Sequence, residues 1–130
     1  FLALALASAS NASAEWRPIH RSQSGAIQYF VESTSAVRSG DAIRVWLRSV
    51  NDKPPPGKPP LTVQESVWFK SSTMDSALVS VFVYIGLDDT GELLESKKWP
   101  MSEDRFAPIR PGTDKYSIAT FLCAKDSPRF

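Results

Sequence analysis

The sequence predicts an α+β domain, with about six antiparallel strands in one sheet and a C-terminal helix packed on one face. Three observations carry that expectation. Apolar-alternating runs follow one another from Trp16 to Ser96, and turn-forming residues end each of them. The connector Phe106-Ala107-Pro108-Ile109-Arg110-Pro111-Gly112-Thr113 then forbids regular structure through two prolines and a glycine. Beyond it, residues 114–123 carry a helical pattern too short to stand alone in water, so it must dock on the sheet.

The elements follow in order. Residues 16–20 read as a short first strand, and Ser22-Gln23-Ser24-Gly25 as a turn. In 26–32, Ile27, Tyr29 and Val31 alternate with Gln28, Phe30 and Glu32, the mark of a half-buried strand. Residues 33–36 make a brief turn and Ser39-Gly40-Asp41 a second one. The cleanest strand is 42–50, where Ile43, Val45 and Leu47 alternate with Arg44, Trp46 and Arg48. The Lys-Pro-Pro-Pro-Gly-Lys-Pro-Pro tract at 53–60 cannot join a ladder and reads as a stiff spacer loop. Strands at 62–71 and 78–85 are rich in Val, Phe, Trp and Tyr, with 74–77 between them or extending one. Gly86-Leu87-Asp88-Asp89-Thr90-Gly91 has hairpin chemistry, and 92–96 returns as a sixth strand. Thr113 is the expected helix cap and Asp114 lies in the first turn. Tyr116, Ala119, Thr120 and Cys123 are expected on one helical face, with Ile118 and Leu122 beside it.

Length and ends bound the organisation. The chain has 130 residues, enough for one modest core, expected over 15–130. Residues 1–14 combine an apolar run with Ala12-Ser13-Ala14, the h-region and cleavage pattern of a secretory signal peptide without its basic start. No cysteine follows that pattern, so no lipid anchor is indicated. Export is the expected localisation, whether periplasmic, secreted or associated with the outer surface. Fifteen Lys and Arg against fourteen Asp and Glu leave a net charge of +1, unlike a dedicated nucleic-acid binder. No apolar run is long enough to span a bilayer.

Catalytic chemistry finds few candidates. His20 is the sole histidine and Cys123 the sole thiol. A nucleophilic pair needs the two adjacent with the thiol exposed, whereas Cys123 is expected on a docked face and His20 in solvent. Asp88-Asp89 and Glu103-Asp104 read as turn and loop acids, without further oxygen ligands at calcium-loop spacing. No metal, cofactor or catalytic residue is therefore assigned, and the domain is expected not to be an enzyme. The remaining signal is aromatic and basic. Arg44, Trp46 and Arg48 share one strand face, with Trp68 and Lys70 on the same kind of face of the next strand. Tryptophan with arginine is the composition of interaction hot spots. The opposing reading buries Trp46 under a neighbour with the arginine stems packed over it. Lys97-Lys98-Trp99 reads as a solvated edge.

Several segments, taken in order, resemble the surface-adhesin E-like domain of bacterial exported proteins. They are Trp16 with Ile19, Tyr29-Phe30-Val31-Glu32, Val37-Arg38-Ser39-Gly40-Asp41, Ile43-Arg44-Val45-Trp46, Met74-Asp75-Ser76-Ala77, and Phe106 to Thr113 leading to Cys123. The resemblance implies a curved sheet with the helix on its concave side. It also implies a disulfide from the helix cysteine to a mid-chain position after an acid, here matched by Ser76 after Asp75. Losing such a bond removes about 3–4 kcal/mol in the chain-entropy model. Cys123 is then either packed as a small apolar group or bridged to another chain. For function, the resemblance implies a non-catalytic module binding host matrix, serum or envelope proteins. The alternative expectation is a periplasmic structural protein acting as a homodimer through its strand edges.

Overall fold

Period-two alternation puts every second side chain of a strand on one face. In the computed structural model, which describes residues 15–124, it builds one open antiparallel sheet. The signal-peptide-like segment 1–14 lies outside the described residues. The strands are β1 (Trp16–Arg21), β2 (Ile27–Glu32), β3 (Val37–Ser39), β4 (Ala42–Asn51), β5 (Leu61–Lys70), β6 (Asp75–Ile85), β7 (Leu93–Lys98) and β8 (Ala107–Pro108). A 3-10 turn at Glu103–Arg105 precedes β8, and helix α1 spans Asp114–Cys123.

Six strands run in the order β1-β2-β4-β5-β6-β7. The other two fill gaps along it: β3 covers the start of β4, and β8 covers the start of β6. The sheet thus has eight strands rather than about six. The two additional ones are three and two residues long, too short to display an alternation. Pro108 is tolerated in β8 because that strand only brackets an edge.

Three register shifts decide what faces what. In β1, Pro18 pairs with Phe30 but His20 pairs with Tyr29, so Ile19 is an extra residue. That shift carries His20 to the side of Tyr29 and Val31. In β6, Ser80 opposes Ser66 while Leu78 opposes Val67, which makes Val79 the extra residue. A third shift lies between Val83 and Tyr84 against β7.

One face carries the core. Val31, Ile43, Val45, Leu47, Val67 and Phe69 cluster there with Ile118, Ala119 and Leu122 of α1. Ile109, buried in the same cluster, pins the connector between β8 and α1, and its amide donates to the Met74 carbonyl at 2.9 Å. Gly112 takes the left-handed conformation, φ +86°, that turns the chain into the helix. The Thr113 hydroxyl oxygen then accepts the Tyr116 amide at 3.2 Å, capping α1.

Two expectations about this helix are corrected. Thr120 is exposed and its hydroxyl donates back to the Tyr116 carbonyl at 2.9 Å. The buried stripe is instead Ile118, Ala119 and Leu122, a three-four spacing on which Thr120 does not lie. Cys123 is half-buried and free, and the side chain that meets its thiol is Ser71, not Ser76. Ser76 lies inside β6, paired with Phe69 and Ala107.

His20 is not a solvent-facing strand end. Its Nε2 lies 2.9 Å from Asp114 Oδ1, and Tyr29 donates its phenol to Asp114 Oδ2 at 3.2 Å. Burial, reinforced by the Asp114 charge and that bond, pushes the Tyr29 pKa up to about 12. The N-terminus of α1 is thereby tied to both β1 and β2. Lys115 adds a 3.3 Å ion pair to Glu65 of β5.

Candidate functional site

The helix covers one face, so the even-numbered side chains of β4 and β5 are left on the other. Register lines them up in rows across the strands: Arg44 beside Trp68 and Ala77, Trp46 beside Ser66 and Ser80, Arg48 beside Gln64 and Phe82. All four tryptophans of the chain belong to this helix-free face or its rim.

The centre is an aromatic pair. The Trp46 and Phe82 rings stack with centroids 6.0 Å apart and 26° between planes. A hollow lies on either side of it. The first, of about 390 Å³, is bounded by Trp16, Tyr84, Gln64, Asp89 and Glu32. The second, of about 440 Å³, is bounded by Arg44, Trp99, Lys98, Ser66 and Ser80. Both share Trp46 and Phe82 as a common wall.

The expected partner-binding residues separate into two groups. Arg48 is spent inside the protein. Its guanidinium donates to Gln64 Oε1 at 2.8 and 2.6 Å, sits 4.3 Å from the Trp16 ring centre and lies 3.7 Å from Asp89. Burial lowers its pKa, opposed by the carboxylates of Asp89 and Asp88. Lys70 is likewise engaged, bonded to Glu103 at 2.6 Å and poised 4.4 Å from the Phe106 ring. It straps the 3-10 turn to β5 and, with Trp68, lines a third hollow of about 310 Å³.

Arg44 and Trp46 are different. Arg44 stacks 5.8 Å from Trp68 and faces no carboxylate among the described residues. Trp46 is half-buried and walls both central hollows. Lys98 is exposed, also without a carboxylate partner among the described residues. Two cations approach the Trp99 ring, Lys97 at 5.9 Å and Arg105 at 5.4 Å from its centre. Lys98 and Trp99 therefore form one wall of the second hollow rather than a bare solvated edge.

Phe82, Ser66, Ser80 and Gln64 are members of this face that sequence reasoning passed over. Ser66 and Ser80 are each 4 % exposed and sit side by side in register. The signal that finds them is pairing. Once β5 and β6 are aligned with β4, Thr62, Gln64 and Ser66 fall on the side of Trp46, and Glu65 on the side of the helix.

The acidic pairs act locally. Asp88 Oδ1 accepts the Thr90 amide at 2.9 Å, shaping the hairpin, while Asp89 reaches back to Arg48. The buried Glu32 carboxylate accepts the Glu15 amide at 2.7 Å, the Thr34 amide at 3.1 Å and the Thr34 hydroxyl. Burial raises its pKa, but these bonds outweigh it and hold the group below the usual carboxylate range. Among the described residues no group of three or more His, Cys, Asp and Glu side chains can hold a metal ion. His20 and Cys123 stand at opposite ends of α1, about 13 Å along the axis of a ten-residue helix. No Cys–His pair forms. No described helix is long and apolar enough to cross a membrane.

Comparison with family models, with curated proteins and with solved structures gave no match.

Proposed function

We propose that this chain is an exported, non-catalytic binding module that presents its helix-free sheet face to a partner. The observation that carries the reading is the contrast between the two faces. One is closed by α1. The other gathers every tryptophan of the chain, with Arg44 and Lys98 lacking carboxylate partners among the described residues. Desolvated aromatic anchors beside unneutralised cations are what interaction hot spots are made of. The resemblance of the segments from Trp16 to Cys123 to surface-adhesin E-like domains points the same way, toward host matrix, serum or envelope proteins.

The test is binding to immobilised basement-membrane extract and serum protein by surface plasmon resonance. Arg44→Ala combined with Trp46→Ala should weaken capture by more than about tenfold, the effect of losing one hot-spot anchor. Circular dichroism confirms that the variant is folded. Undiminished capture by that folded variant contradicts the reading.

One observation favours a second reading, a periplasmic homodimer. Strand β7 is an open edge, exposed along its whole length, with Leu93 49 % and Leu94 50 % accessible. The opposite edge, β1, is blunted by Pro18 and a bulge. Light scattering over a concentration series should show a doubled mass that a proline at Ser96 abolishes. A monomer at every concentration removes this reading.

A further inference from the structure

Resting on the binding-module reading, we infer that the second hollow is a subsite for an acidic sugar ring, one unit of a uronic-acid-containing glycan chain. Three features of the hollow lead there.

Its walls are aromatic. Trp46, Phe82 and Trp99 bound a space of about 440 Å³, within the range of small-ligand sites. Aromatic walls suit a ligand with an apolar C–H surface. Its floor is polar. Ser66 and Ser80 bring two adjacent hydroxyls to the bottom, and neither has a side-chain partner among the described residues. An apolar protein anchor seated there would leave both unpaired, at a cost that a hydroxyl-rich ligand avoids. Its rim is cationic. Arg44 and Lys98 flank the space and no acidic residue lines it.

The wider geometry selects a chain of sugars over a peptide strand. Backbone donors and acceptors of β4, β5 and β6 are consumed in the ladders, so this face offers no main-chain pairing. The first hollow continues the same trough beyond the Trp46–Phe82 wall. It offers the Trp16 and Tyr84 rings together with Gln64, Glu32 and Asp89, so its two carboxylates select a neutral neighbouring ring that donates hydroxyls to them. The charge density is low. A chain of net charge +1 with one Arg and one Lys at the rim of one hollow and two carboxylates in the other suits about one carboxylate for every two rings, not a densely sulfated polymer.

The probe is a hyaluronan tetrasaccharide, in which acidic and neutral rings alternate, titrated by calorimetry into the full chain at low and moderate salt. Its carboxyl-reduced neutral counterpart and oligoglutamate of equal charge serve as comparisons. The tetramer should bind, the neutral sugar should bind at least about tenfold more weakly, as expected for a lost charge-assisted hydrogen bond, and oligoglutamate should not compete. Arg44→Gln and Lys98→Gln should each cost about tenfold, and Trp99→Ala more. Lys58→Gln in the proline-rich loop should change nothing. Equal binding of oligoglutamate, equal binding of the neutral sugar, or indifference to all three variants overturns the proposal. So does absence of tetramer binding. If the tetramer fails while protein capture still depends on Arg44 and Trp46, only the sugar subsite falls and the binding module stands.

Discussion

At the residue scale, small shifts of register decide the chemistry. His20 illustrates this. The extra residue at Ile19 rotates it from the free face to the helix side, where Asp114 and Tyr29 meet it. A phenol whose pKa is raised lends stability below its ordinary value of 10.0, and that contribution is lost between there and about 12. A phenolate absorbance titration should therefore show a step near pH 12 that Tyr29→Phe removes. A variant curve superimposable on the wild type contradicts the buried placement. Cys123 gives a second residue-scale prediction. Because its thiol touches Ser71, Ser71→Cys should form a disulfide closing the 52-residue separation, worth about 4 kcal/mol. Thiol titration should find no free cysteine in the oxidised variant and unfolding should become reductant-sensitive. Two titratable thiols under native, oxidising conditions contradict the contact. Neither neighbour was legible in the sequence. Bulges leave no compositional mark, and Ser71 and Ser76 differ only in which side of a tight turn they occupy.

At the element scale, alternation was the readable signal. In β4 it separates Ile43, Val45 and Leu47 from Arg44, Trp46 and Arg48, and the structure divides them in that way. In β6 the same logic fails halfway, because Val79 inverts the parity: Ser80 and Phe82 face the trough, yet Leu78 joins the core. Strands β3 and β8 were invisible because pairing, not propensity, makes two- or three-residue strands. Helix α1 was readable from its cap and its connector, although its buried stripe was misplaced by one position. Its stability comes from docking. Leu122→Ala should cost about 2–5 kcal/mol and Thr113→Ala about 1 kcal/mol in urea unfolding. The reverse order contradicts a helix held mainly by packing. Edge strand β7 is the counter-case, with no buried side chain at all and, among the described residues, only one partner strand along its length.

At the whole-molecule scale, the two faces of one sheet differ in how they are covered. The helix side is closed by apolar packing and by the ties from α1 to His20, Tyr29 and Glu65. The other side is held open, its aromatic rings spaced by engaged polar groups such as Arg48 and Gln64. The sequence showed that arginine and tryptophan share this face. It did not show that Arg48 and Lys70 are internal struts, because a cation's partners at distant positions, Asp89 and Glu103, emerge only from the fold.

The most direct measurement is oxidative footprinting of the free chain and of the chain bound to immobilised basement-membrane and serum protein. Trp46, Phe82 and Trp99 should lose reactivity on binding, while Phe121, 38 % exposed on α1, keeps its own. Protection of Phe121 with the three trough rings unchanged, or no protection anywhere, contradicts the assignment of the helix-free face as the working surface.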